Sequence, residues 1–243
     1  MKSIFVGLML WIFVGGAHAA EVWEKDYDRL LKTYASPAGV DYAAWHRNPE
    51  DVRTLMNIAD QIAKNGPRSN QTADALAYYI NAYNVWMLRL VLEKYPIKSV
   101  RDIAPLFGVF TGKRIEVNGQ KMSLNHLEKQ IIIKQFAEPR IHFALNCASR
   151  SCPPLSSEPF TSAQLESQLD KVTRAFAQTD FAARVSSDQK QVALSKIFEW
   201  YADDFKEAGG PVAFLNGYRQ PPIPTNARVS FQEYDWALNA AGP

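Results

Sequence analysis

The chain has 243 residues, 47% of them hydrophobic, and a formal net charge of +2. That is enough apolar material for one sizeable core. The near-neutral charge excludes the basic footprint of a nucleic-acid binder. Only two cysteines and four histidines are present, so any thiol or imidazole chemistry rests on few residues.

Lys2, the apolar run Ile4 to Val14 and the small-x-small Ala17-His18-Ala19 have the form of a cleaved export signal over residues 1–19. The run is shorter than the roughly 20 residues a membrane span needs, so no stable membrane insertion is expected once the leader is removed. The remaining residues, 20–243, are read as one domain, periplasmic or secreted. An oxidising compartment makes a disulfide between the two cysteines a serious expectation.

Trp23, Tyr27, Leu30, Leu31 and Tyr34 recur at helical spacing, predicting an amphipathic helix over 22–35. Residues 39–42 follow as a short extended piece. A second helix is expected from Asp51 to Lys64, ended by Asn65-Gly66-Pro67. From Thr72 to Tyr95 apolar residues cover every face, as in a central buried helix. Asn81 and Asn84, three apart, share nearly one side of it and need partners, since an unpaired buried amide costs about 1–3 kcal/mol. They either cap a neighbouring segment or orient a functional group.

Asn118-Gly119 between alternating segments predicts a hairpin over 114–123. Ser123 or Asn125 then caps a helix carrying Leu127, Glu128, Ile131 and Ile132. Ile141 to Leu145 reads as a strand leading into the cysteine loop, which Cys152-Pro153-Pro154 ends. A helix over 162–176, a strand near 191–194, a helix capped by Ser195 and running through Phe205, and a last strand at 228–231 complete the chain. Helices first and strands later predict an α+β fold with a largely antiparallel sheet packed on the central helix.

The chemistry concentrates in RIHFALNCASRSCPPL, residues 140–155. Two cysteines and one nearby histidine fall short of a structural zinc set. The spacing is not Cys-x-x-Cys, and neither a glycine-rich phosphate loop nor a GxSxG elbow occurs, so no metal or cofactor is expected. A cysteine nucleophile needs a base within reach and a group that orients the base. An extended 142–147 segment would span about 16 Å and set His142 and Cys147 on opposite faces, so direct pairing demands a bend. Either cysteine qualifies as nucleophile: Cys147 at a strand end, or Cys152 before Pro153 at a helix start. Glu128 and Asn81 are candidate orienters of His142, and the N–H groups of residues 148–152 are a candidate oxyanion site. His126 and His46 have no such context. The structural alternative pairs His142 with Glu128 and closes a Cys147–Cys152 disulfide worth roughly 2 kcal/mol.

The stretches YYINAYNVWML (78–88), SLNHLE (123–128), PRIHFALNCASRSCPPL (139–155) and LSKIFEWYADDF (194–205) occur in the order seen in the DUF547 domain family, which the chain resembles over about 77–205. An extension ending YDWALN resembles that of exported bacterial members. Asn125 stands where the family usually has aspartate, which suggests a capping role. The family has no assigned activity, but its pattern picks out Asn81, Asn84, Glu128, His142, Cys147, Cys152 and Pro153. That set resembles the Cys-His-acid or Cys-His-amide sites of papain-like and transglutaminase-like folds, except that His142 precedes both cysteines.

The resulting expectation is an exported thiol-dependent enzyme, acting by hydrolase, acyl-transferase or thiol–disulfide chemistry on an unidentified small-molecule or protein substrate. Its site would comprise Cys147, Cys152, His142, Glu128 and Asn81. The alternative is a non-catalytic periplasmic module for binding or envelope interaction, with Cys147 and Cys152 bridged.

Overall fold

The computed structural model of the chain describes residues 18–69 and 71–241, with side chains from Trp23 onward. The expected leader lies outside these residues except for its last two positions. Helix α1 (His18–Tyr34) buries the stripe Trp23, Tyr27, Leu30, Leu31 and Tyr34. Strands β1 (Ala35–Ser36) and β2 (Gly39–Val40) form a short antiparallel pair, and α2 (Tyr42–His46) follows. Helix α3 (Pro49–Lys64) starts two residues before the expected Asp51. Asn48 accepts from the N–H groups of Glu50 and Asp51, while Pro49 takes the first helical position, where no N–H is needed.

Helix α4 (Thr72–Leu92) is the central buried helix. It packs on α3, and Trp86 donates its indole N–H to the Glu116 carbonyl at 3.0 Å. After a short helical turn, α5 (Gly108–Thr111), come β3 (Ile115–Val117) and β4 (Gln120–Met122), paired antiparallel. Their turn holds Asn118 at φ 51° and Gly119 at φ 73°, the left-handed pair that an Asn-Gly hairpin supplies at least cost. Both turn N–H groups dock on the end of α3, through the carbonyls of Ile62 and Ala63.

Ser123 caps the next helix by accepting from the His126 N–H. This helix, α6, spans residues 124–136 and widens into a π-helical segment at Leu127–Ile133. Such segments are rare and often sit at functional sites; this one carries Glu128 and Lys129. Helix α7 (Leu165–Ala177), strands β5 (Ala183–Val185) and β6 (Gln191–Leu194), helices α8 (Ile197–Trp200) and α9 (Pro211–Asn216), and strand β7 (Arg228–Phe231) complete the order.

The α+β mixture is as expected, and three of the four described strand pairs are antiparallel, but they do not form one sheet packed on the central helix. The described strands fall into three small sheets, and in the three-stranded one β5–β6 is antiparallel while β6–β7 is parallel. Strands of two to four residues cannot cover a helix as long as α4, and the segment expected to supply a core strand, 141–145, is helical instead.

Apolar side chains from α1 to α6 form one buried cluster around α4, and a second cluster gathers Phe143, Phe176, Phe198, Phe205 and Phe214 against β5 and β6. Phe143 inserts its ring among the others at centroid distances of 5.4–6.3 Å. The segment 139–145 therefore sits where the two clusters meet. The final residues run back over this junction: Arg150 N–H bonds to Ala237 O, Asn239 N–H to Ala148 O and Ala241 N–H to Val40 O. No described helix is long and apolar enough to cross a membrane.

Candidate functional site

Pro139 to Phe143 form a 3-10 helix, which corrects the expected strand over 141–145. Pro139 cannot donate to a ladder, Glu138 caps the N–H of Arg140, and Arg140 ties the turn to α7 through Asp170 at 2.8 Å and Glu166 at 2.6 Å. Arg140 also bonds Glu138 side chain to side chain at 2.7 Å. Coiling shortens the path from His142 to Cys147, so the span that separated them in an extended chain does not exist.

His142 is buried, its Nε2 lies 2.7 Å from Asp204 Oδ2, and its ring packs on Tyr201 at a centroid distance of 4.1 Å. Glu128, expected to orient His142, instead accepts a hydrogen bond from the Tyr201 hydroxyl. The carboxylate on His142 thus comes from α8's own continuation, three residues beyond Tyr201. In a neutral ring that donates from Nε2, Nδ1 is an acceptor, and it has no hydrogen-bond partner among the described residues.

The two asparagines of α4 are structural clamps. Asn81 donates to the Phe160 carbonyl at 2.7 Å and accepts from its N–H at 2.9 Å, so it does not orient His142. Asn84 donates to Ala144 O and accepts from Asn146 N–H, fixing the bend that follows the 3-10 helix. Both are 2% exposed, so neither lost bond is replaced by solvent. Asn81→Ala is expected to lower unfolding free energy by about 3 kcal/mol, since a buried N–H and a buried C=O lose their partners. A urea titration reads that loss, and Cys147 alkylation should keep its wild-type rate because the clamp lies elsewhere.

Both cysteines are free thiols, so the expected disulfide is not formed here. Cys152 is buried, with its sulfur accepting the Cys147 N–H at 2.9 Å and reaching toward the Leu145 carbonyl at 3.6 Å. Cys147 is half-buried. Its sulfur lies 3.0 Å from Ser149 Oγ and 3.2 Å from Tyr234 OH, and these two oxygens are 3.1 Å apart. Burial alone would raise the Cys147 thiol, but donors from Cys152, Ser149, Tyr234 and the Ser149 N–H converge on the sulfur and lower it to about 7. Burial and the Cys147 sulfur beside it push the Cys152 thiol well up. Of the two thiols, Cys147 is therefore the one held more readily as a thiolate. Neither sulfur is hydrogen-bonded to His142 among the described residues, so the direct Cys–His bond is not formed in this structure.

The turn that carries this sulfur is strained, with Ala148 at φ 58°, a left-handed conformation that costs an L-residue about 1 kcal/mol or more. It persists because the turn's backbone is over-determined. Ala148 N–H bonds to Asn146 Oδ1, Arg150 N–H to Ala237 O, Ser151 N–H to Asp235 O and Cys152 N–H to Ser149 O. With the N–H of Cys147 on the Cys152 sulfur, five of the six N–H groups from 147 to 152 are committed. Of the oxyanion donors expected at 148–152, those of Ala148, Arg150, Ser151 and Cys152 are taken.

Cys147, Cys152, His142 and Glu128 line one cavity of about 390 Å³, whose walls also include Tyr83, Phe107, Trp200, Tyr201, Tyr234 and Trp236. Asn81 lies outside it, in a separate depression. Trp200, 47% exposed, stacks with Trp236 at 5.9 Å, and Tyr234 packs against both. Lys129 stands at the rim over the Tyr201 ring at 5.7 Å. No group of three or more possible metal ligands occurs among the described residues.

Residues 67–177 match the family model described as "Protein of unknown function, DUF547". The chain carries a DUF547 domain. No curated protein and no solved structure matches it. The DUF547 match takes in Glu128, His142 and both cysteines, whereas Tyr201, Asp204, Tyr234 and Trp236 lie beyond it. Residues outside the matched stretch thus complete the cavity. No local pattern marks Asp204, Asn146, Ser149 or Tyr234 as functional candidates. Tyr234 lies within the extension that resembles exported DUF547 proteins, the one local hint to its role.

Proposed function

We propose that the chain is an exported thiol-dependent enzyme in which Cys147 is the nucleophile. The observation that carries this reading is the Cys147 sulfur on the wall of an aromatic cavity, surrounded by donors that favour its thiolate. His142, held by Asp204 and stacked on Tyr201, is the acid–base group that returns a proton to the leaving atom. Its role corresponds to that of the histidine in papain-like and transglutaminase-like sites, with Asp204 in place of the expected Glu128 or Asn81. Trp200, Tyr234 and Trp236 supply the surface that holds the body of the substrate. Residues 1–19 direct export, so the mature chain begins at Ala20, which N-terminal sequencing of the secreted or periplasmic form tests.

Alkylation with iodoacetamide tests the nucleophile. Native protein is expected to take one carbamidomethyl group at Cys147, with a rate that rises through a midpoint near about 7, and Cys147→Ser should abolish it. Two sulfurs found bonded to each other and inert in freshly isolated native protein would favour the stapled binding module and overturn the enzyme reading.

A further inference from the structure

We propose that the electrophile is a disulfide and that Cys152 is the resolving thiol, so that the site performs thiol–disulfide exchange. The inference rests on Cys147 being the nucleophile and adds the substrate class and the second sulfur's role. Acyl chemistry needs donors aimed at a developing oxyanion, yet the N–H groups of Cys147, Ala148, Arg150, Ser151 and Cys152 are already bonded, that of Cys147 to the Cys152 sulfur itself. Disulfide exchange needs no such hole, because the negative charge moves along a line of sulfurs. It needs a reachable sulfur with a second sulfur behind it, and that is the arrangement present: Cys147 is half-buried at the cavity wall, while Cys152, 8% exposed, touches the Cys147 backbone from the protein side. The Cys152 sulfur lies 2.9 Å from the Cys147 backbone nitrogen, so rotation of the two side chains can bring the sulfurs to bonding distance.

The Cys147 thiolate attacks one sulfur of the substrate disulfide, forming a mixed disulfide and expelling the other half as a thiolate, which takes a proton from His142. Cys152 then gives up its proton to the solvent-exposed side of the cavity and attacks the Cys147 sulfur, expelling the second half as a thiolate. The second thiolate takes up the proton that Cys152 released and His142 is reprotonated from water, so the substrate disulfide has gained two electrons and become two thiols, while the protein's thiolate–thiol pair has become the Cys147–Cys152 disulfide. A small thiol or dithiol reductant reverses the second and first bonds to reset the enzyme. The bridge that the sequence suggested as a staple is, on this account, one state of the cycle.

The full chain is treated with 5,5′-dithiobis(2-nitrobenzoate), a disulfide whose flat rings match the aromatic wall. Wild type is expected to release a first equivalent of thionitrobenzoate and then a second, ending without adduct and lighter by two hydrogens. Cys152→Ser, and Cys152→Ala as a second form should the serine perturb folding, should release one equivalent and keep the adduct on Cys147. Cys147→Ser should lose the fast phase. If wild type also keeps the adduct, Cys152 does not resolve and this proposal fails, while iodoacetamide reactivity at Cys147 would still support the nucleophile reading. If Cys147 is inert to both reagents, the nucleophile reading fails with it.

Discussion

Asn146→Ala is expected to lower the unfolding free energy by about 4 kcal/mol, because two buried backbone partners are orphaned at about 1–3 kcal/mol each and a half-buried amide loses its acceptor. Asn146 is 3% exposed and spans the cysteine turn. Its Nδ2 donates to Pro153 O at 2.8 Å, and its Oδ1 accepts from Ala148 N–H at 3.0 Å and from Asn239 Nδ2 at 3.3 Å. The amide thereby joins both ends of the turn to the returning C-terminal segment and holds Ala148 in its left-handed conformation. Since domains hold only about 5–15 kcal/mol in all, the variant should unfold at a much lower urea concentration and lose the sharp pH midpoint of Cys147 alkylation. Asn146→Asp keeps the acceptor but sets a buried carboxylate against the Pro153 carbonyl, so its loss is expected to be at least as large at neutral pH and to shrink on acidification, when the carboxyl can donate. A loss below about 1 kcal/mol for the alanine variant would mean that water takes over the amide's contacts.

Local signals in the sequence account for most helices and both read hairpin strands. Asn118-Gly119 demands a left-handed pair, and the stripe from Trp23 to Tyr34 can only be buried on one face of a helix. The cavity's Glu128, His142, Cys147 and Cys152 were visible because their side chains are chemically conspicuous in an apolar setting. Other features depend on contacts distant in the chain. The 3-10 helix at 139–143 is anchored by Arg140 to Glu166 and Asp170 on α7, so an apolar pattern that reads as a strand is overridden by tertiary ion pairs. The partner of His142 lies 62 residues away, and Tyr234 lies 87 residues from Cys147; neither acid nor phenol stands in a pattern that would mark it. Asn81 illustrates the reverse error: a buried amide looks functional, yet its two bonds are spent on the Phe160 backbone.

Tyr234→Phe is expected to raise the pH midpoint of Cys147 alkylation by about one pH unit, making the reaction at pH 6 roughly tenfold slower. The sign follows from what the phenol does. Burial, with the two thiols nearby, holds the Tyr234 hydroxyl well above its usual range, so it stays protonated and donates toward a thiolate 3.2 Å away. Donation favours the charged form of sulfur, and a hydrogen bond to a charged group is worth about 1.5–3 kcal/mol; removing it lets burial raise the thiol. Ser149 and Cys152 remain as donors, which keeps the change to part of the full lowering. His142→Ala should leave the midpoint near about 7, because the imidazole makes no hydrogen bond to either sulfur and acts on the leaving group instead. The two variants thus separate activation of the thiol from proton return. An equal rise in both would place the imidazole beside the sulfur in solution and restore a direct Cys147–His142 pair, whereas a rise in Tyr234→Phe alone assigns the thiolate to a hydroxyl contributed by the C-terminal segment.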